Sequence, residues 1–128
     1  MLVYVNTCED RVVFAVKQRG KIMKITLARH AARGTIFWRL VAWLEKKHLS
    51  RVGISGIIVA AGPGRFGAVR EGVVIANAVG YALDVPVSGF RIGEEGGDLS
   101  FAFDSFQDTS GRRTIVEPVY DRPPHITC

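Results

Sequence analysis

The stretch best equipped to do chemistry is Gly62-Pro63-Gly64-Arg65-Phe66-Gly67-Ala68-Val69-Arg70-Glu71-Gly72. A Gly-Pro-Gly turn between an apolar run and a helix start leaves backbone amides and a helix dipole pointing outward, the arrangement that binds anions. The residues narrow that option. GPGRFG has neither the Lys-Ser/Thr pair of a Walker loop nor a dinucleotide fingerprint with a ribose-binding acid at the usual separation. On these residues alone, a tight structural turn before a closely packed helix is favoured.

Other chemistry has less support. There is no Gly-x-Ser-x-Gly elbow, and His30, His48 and His125 have no sequence neighbour that would make one of them a base. These histidines show no metal-ligand spacing with Cys8 and Cys128, so neither metal nor cofactor is expected. Glu9, Asp10, Glu71, Glu94, Glu95, Asp98, Asp104 and Asp108 could pair for acid–base or two-metal work, but acids near glycines in loops are ordinarily solvated charges. No catalytic residue is assigned.

The composition, with 48% hydrophobic, 23% charged and 9% aromatic residues in 128, is that of a globular domain with a packed core. The longest apolar stretch, Val73 to Val87, is broken by Asn77 and Asp84 and falls short of the ~18–20 apolar residues a bilayer span needs. The opening MLVYVN reads as a strand rather than a secretory leader, so a cytoplasmic protein with two free thiols is expected. A net charge of +5 invites a nucleic-acid reading. Arg29, Arg33, Arg39, Lys46, Lys47, Arg51, Arg65, Arg70, Arg112 and Arg113 are spread with no run longer than two, which favours a generic solvated surface.

The elements that must position these residues follow from periodicity. Leu2 to Val5, Val12 to Val16 and Ile22 to Leu27 are strand-like runs joined by polar turns, the second at Arg19-Gly20. Thr35 can cap a helix to about His48, with Lys46, Lys47 and His48 placed against its C-terminal dipole. Phe37, Leu40, Val41 and Leu44 form a stripe, and Ile36, Trp38, Ala42 and Trp43 widen it until the helix needs two buried sides. Gly56 to Ala61 reads as a central strand. A second helix spans Phe66 to about Leu83, where Ala68, Gly72, Ala76 and Gly80 form a row of small residues suited to close approach by another backbone. A short strand, Val85 to Ser88, follows Asp84, and strands are expected at Leu99 to Phe103 and Thr114 to Tyr120 around a turn at Asp108 to Arg113.

With these residues in place, GPGRFGAVREG resembles the TsaB (YeaZ) family signature Gly-Pro-Gly-Ser-Phe-Thr-Gly-Leu/Val-Arg-Ile-Gly. Gly62, Pro63, Gly64, Phe66, Arg70 and Gly72 match it, and Val69 fits the aliphatic position; Arg65, Gly67, Ala68 and Glu71 depart from it. Val5-Asn6-Thr7-Cys8 is similar to the family's Leu-Asp-Thr-Ser, Leu83 to Gly89 to its aliphatic-x-x-Pro-aliphatic-x-Gly strand, and Pro118-Val119-Tyr120 to its Pro-Val/Leu-Tyr.

The resemblance implies an α/β fold: one actin-like (ASKHA, ribonuclease H-like) lobe with a mixed five-stranded sheet and two main helices. The expected domains are an N-terminal lobe over 1–90, a reduced segment over 91–121 forming a β-hairpin in place of the second lobe, and a mobile tail over 122–128. The chain after Gly89 is too short for a second lobe of ~100 residues. No ATP cleft is therefore expected, and Asn6 where nucleotide binders carry Asp argues the same way.

The resemblance further implies a non-catalytic subunit that binds a TsaD-like catalytic paralogue and supports tRNA threonylcarbamoyladenosine modification. A TsaE-like ATPase is a candidate further partner, and transfer RNA is contacted only indirectly. The expected partner-binding residues are Trp38, Val41, Trp43, Phe66, Val69, Arg70, Gly72, Val73, Ala76 and Gly80, with Gly62, Pro63 and Gly64 as the structural turn. The competing readings are a homodimer through the same two helices without that partner, a residual ATP-dependent phosphotransferase, a peptidase, and direct RNA binding through the positive charge.

Overall fold

In the computed structural model, which describes residues 1–9, 11–28, 35–50, 53–64, 66–92, 99–106 and 116–117, strand β1 (Leu2–Asn6) is the middle of the sheet. It pairs antiparallel with β2 (Arg11–Gln18), Val3 opposite Val16, and β2 continues antiparallel to β3 (Lys21–Ala28), Phe14 opposite Ile25. The tight turn between β2 and β3 places Arg19 and Gly20 both at positive φ. On its other side β1 pairs parallel with β4 (Gly56–Ala60), which pairs parallel with β5 (Val87–Phe90). The order β3-β2-β1-β4-β5 is a mixed five-stranded sheet. Two parallel connections supply its helices, as crossover geometry requires.

Alternation along the strands sends two sets of side chains to opposite faces. Val3, Val5, Val12, Phe14, Val16, Ile57, Val59 and Val87 lie beneath α1 (Ile36–Lys46) and α2 (Phe66–Leu83). Tyr4, Ala15, Ile58, Ala60 and Phe90 pack on the other face against Ala102 and Phe103 of α3 (Leu99–Asp104). β4 is buried along its whole length, as its uninterrupted apolar run demands.

Both long helices stop in the same way. His48 takes φ 58°, the Leu49 amide donates to the Leu44 carbonyl at 2.9 Å and the His48 amide to Glu45 at 2.9 Å. Asp84 takes φ 54°, with Val85 donating to Gly80 at 3.0 Å and Asp84 to Tyr81 at 3.3 Å. Each is a six-residue closure around a left-handed residue. Thr35 sits at the N-terminal cap position of α1 without a side-chain cap bond, and its carbonyl accepts from the Arg39 amide at 2.9 Å.

Two expectations are corrected. β5 begins at Val87 rather than Val85, because Val85 is used in closing α2 and Pro86, which has no amide hydrogen, offers only its carbonyl, to the Ile57 amide at 3.0 Å. Residues Leu99 to Phe103 form α3 instead of a strand. Their alternation of apolar residues mimics a strand, but the inward residues are Leu99, Ala102, Phe103 and Phe106, which follow helical spacing. Phe106 lies against the α-carbon of Gly56, and the Tyr4 and Phe103 rings meet at 6.2 Å. The second expected strand of the hairpin falls almost wholly outside the described residues, as do the tail, Cys128, His30 and His125. No described helix is long and apolar enough to cross a membrane.

A candidate docking face on the two long helices

The glycine turn is built for packing. Gly62 takes φ 109°, a conformation that side chains other than glycine rarely adopt, its peptide bond to Pro63 is cis, and its carbonyl accepts from the Ile92 amide at 2.8 Å. A Cβ on Gly64 would stand 2.9 Å from Val69 and 3.2 Å from the Cys8 carbonyl. The turn therefore rests on the loop after β1.

That loop is held by its own side chains. The Asn6 carboxamide oxygen accepts from the Cys8 amide at 2.9 Å, and its nitrogen donates to Glu9 at 3.4 Å. The Cys8 thiol donates to the Ala60 carbonyl at 3.1 Å, bridging the ends of β1 and β4. Tyr4, beneath Asn6, is 1% exposed, and burial pushes its hydroxyl up to about 12, partly opposed by its hydrogen bond with Asn6. Among the described residues no group of three or more His, Cys, Asp or Glu could hold a metal ion.

The row Ala68, Gly72, Ala76 and Gly80 does not present itself to another helix. Gly72 and Gly80 are buried, and a Cβ on Gly72 would run into Thr7, just past β1, and one on Gly80 into Val87 of β5; Ala76 is 1% exposed. The close approach that these small residues permit is between α2 and its own sheet. Val69 and Val73 are 0% and 3% exposed and share that interior face. Trp43 is likewise core, at 5%, and Val41 is half-buried along an apolar cavity of about 110 Å³ between the two helices and the sheet. The side chain of Phe66, together with Arg65, lies outside the described residues.

What the helices do present is a different row. Gly67, Arg70, Val74, Ala78 and Tyr81 are exposed along α2 at spacings of three and four, and Trp38 is exposed on α1. Trp38, Val74 and Tyr81 are 68%, 54% and 76% exposed. An open groove between the helices is lined by Phe37, Trp38, Gly67, Arg70, Val74 and Ile75 among others, and Phe37 and Trp38 meet edge to face at 5.2 Å. Of the expected partner-binding residues, Trp38 and Arg70 are fully on this surface. Val74, Ala78 and Tyr81 are additional.

Asn77, in sequence only a break in an apolar run, has a structural role. Its carboxamide donates to the Val116 carbonyl and accepts from the Val116 amide, both at 3.1 Å. Val116 packs over Gly89 and into the cluster beneath the helices. The signal was a lone polar residue inside an apolar helix.

The geometry can be set beside known proteins. The family model described as TsaD, tRNA N6-adenosine threonylcarbamoyltransferase, matches residues 28–91. Among solved structures, YeaZ from Pseudomonas aeruginosa superposes with a TM-score of 0.63 at 21% identity, covering 70% of this chain and 44% of that one. A protein described as having similarity to peptidase YEAZ, from the same organism, gives a TM-score of 0.64 at 18% identity, covering 70% of this chain and 42% of that one. The chain thus spans under half the length of the structures it resembles. No curated protein matches it. With half of its residues covered by that family model, the chain belongs to the TsaD family and carries the TsaB/YeaZ-like fold.

Proposed function

We propose that this chain is a non-catalytic partner subunit that docks on a TsaD-like protein through the outward faces of α1 and α2, in support of tRNA threonylcarbamoyladenosine modification. The observation that carries the reading is the exposed apolar row Trp38, Val74, Ala78 and Tyr81 flanking the interhelical groove. Large aromatic and aliphatic side chains left in water on adjacent helices mark an association surface, because burying them is favourable and aromatic anchors dominate such interfaces. The small residues Gly67 and Ala78 in the same row let a partner helix approach closely. The chemistry falls to the partner, and this chain supplies the shape that holds it.

The test is co-purification of the full chain with a TsaD-like protein, followed by its repetition with Val74→Glu and Trp38→Ala. The reading expects a stable pair with the wild type and loss of pairing with either variant. Two proteins that remain separate at micromolar concentration overturn it. Light scattering on the isolated chain tells whether the same face also closes a two-fold pair with itself.

A further inference from the structure

The β2–β3 ribbon carries Arg11, Lys17, Arg19, Lys21 and Lys24, and its residues 11–28 include no Asp or Glu. In sequence these cations are singly spaced. Antiparallel pairing gathers four of them at the turn end, with Lys17 opposite Ile22, Lys24 opposite Ala15 and Arg19 at the tip beside Lys21, while Arg11 stands opposite Ala28 at the other end. Lys17 and Lys24 project from the same face, the one turned away from α1 and α2, as diagonal neighbours roughly 7–8 Å apart. Arg19, Lys21 and Lys24 are exposed, as is Thr26, which lies on that same face. Among the described residues Lys17 pairs with Asp104 at 3.7 Å, and Asp104 is 69% exposed. A contact of that kind is weak, and a phosphate can displace it.

We propose that the β2–β3 ribbon contacts the phosphate backbone of an RNA through Lys17, Arg19, Lys21 and Lys24. It rests on the reading above only in taking RNA as the polyanion, because the matched family model is described by a reaction on tRNA. A protein partner is the poorer fit. Protein interfaces deplete charge at their centre, whereas the large apolar side chain exposed on the ribbon is Ile22 alone among the described residues. Four cations gathered at one end of the ribbon, Lys17 and Lys24 with the Thr26 hydroxyl on one face, Arg19 at the tip and Lys21 on the other face, match what nucleic-acid backbones require. The ribbon contact is additional to any RNA contact made by the docked partner.

The experiment measures binding of the full chain to an unmodified tRNA transcript across a salt series, for the wild type, Arg19→Glu/Lys21→Glu/Lys24→Glu and a control, Lys46→Glu/Lys47→Glu at the end of α1. Wild-type affinity should fall linearly with salt on logarithmic axes, and the ribbon variant should lower the slope by about 2 to 3 while the control changes it less. A milder Lys21→Gln/Lys24→Gln variant should lie between them, and circular dichroism checks that all remain folded. Equal loss in ribbon and control variants, or no salt-sensitive binding by the wild type, overturns the proposal. So does a ribbon variant that binds the transcript normally but no longer co-purifies with the TsaD-like protein, which would make the ribbon a protein contact. A ribbon variant that loses RNA yet keeps the protein pair supports it, and failure of the ribbon leaves the docking reading standing.

Discussion

The Thr7 hydroxyl lies against the α-carbon of Gly72 and donates to the Ala68 carbonyl at 2.5 Å, so one buried side chain joins the end of β1 to the first turns of α2. Thr7 is 0% exposed, and its position leaves no room for a Cβ across the gap. Gly72, the last glycine of the GPGRFGAVREG segment, is therefore required by the protein's own interior. Gly72→Ala should destabilise the fold by about 1–3 kcal/mol despite alanine's better helix propensity, since overpacking outweighs the gain of about 1 kcal/mol. Chemical denaturation of Gly72→Ala, Thr7→Ala and the double variant checks it. The double variant should cost clearly less than the sum of the singles, because Thr7→Ala vacates the space the new methyl needs.

Gly67, five residues earlier, has nothing within 4 Å of a built Cβ. Gly67→Ala should stabilise the chain by about 0.5 kcal/mol, the ordinary helix-propensity gain reduced by its place in the first turn. The two glycines thus predict opposite signs for the same substitution, read by the same melts.

Asn77 holds Val116 with both arms of its carboxamide, doing for that segment what a neighbouring strand would do. Removing the side chain leaves a part-buried amide and carbonyl unsatisfied. Asn77→Ala should cost about 1–3 kcal/mol and, in hydrogen exchange, strip protection from the Val116 amide while leaving the β1–β2 amides protected.

The sheet and both long helices were legible because their signals are local: β-branched runs with polar turns, and apolar stretches of helical length. The bounds of α2 are those its composition predicts. Its facing was not legible. Residues 66–83 are small or apolar nearly all round, so no polar stripe marks the solvent side, and the row 68, 72, 76 and 80 reads as a partner face although the sheet claims most of it. The charge of the β2–β3 ribbon was hidden for a different reason. Its cations are separated along the chain and become neighbours only through strand register. Asn77 reads as an interruption of an apolar run until its distant partner Val116 is in place.

Tyr4 sets a pH dependence. Its hydroxyl is held protonated up to about 12 by burial, against an ordinary value of 10.0. An acid whose folded-state value is raised binds its proton more tightly when folded, so its contribution is fully present below pH 10 and is lost as pH rises from 10 towards 12. The loss across that window should be about 2 kcal/mol. Denaturant midpoints at pH 9 and pH 11.5 should therefore converge in Tyr4→Phe relative to the wild type.

The register of α2 supplies the sharpest discrimination between core and docking surface. Ala76 is 1% exposed and lies under the helix, whereas Ala78, two residues on, is exposed in the row with Val74 and Tyr81. Arginine at either position adds the same volume and charge. Ala76→Arg forces an unpaired cation into an apolar interior and should unfold the chain or cost several kcal/mol. Ala78→Arg should leave stability within about 0.5 kcal/mol and abolish co-purification with a TsaD-like protein, since the guanidinium occupies the space a partner helix needs. Thermal melts and pull-downs on the same two variants decide it. If Ala78→Arg keeps full pairing, the docking surface does not run along this row of α2, whatever the partner.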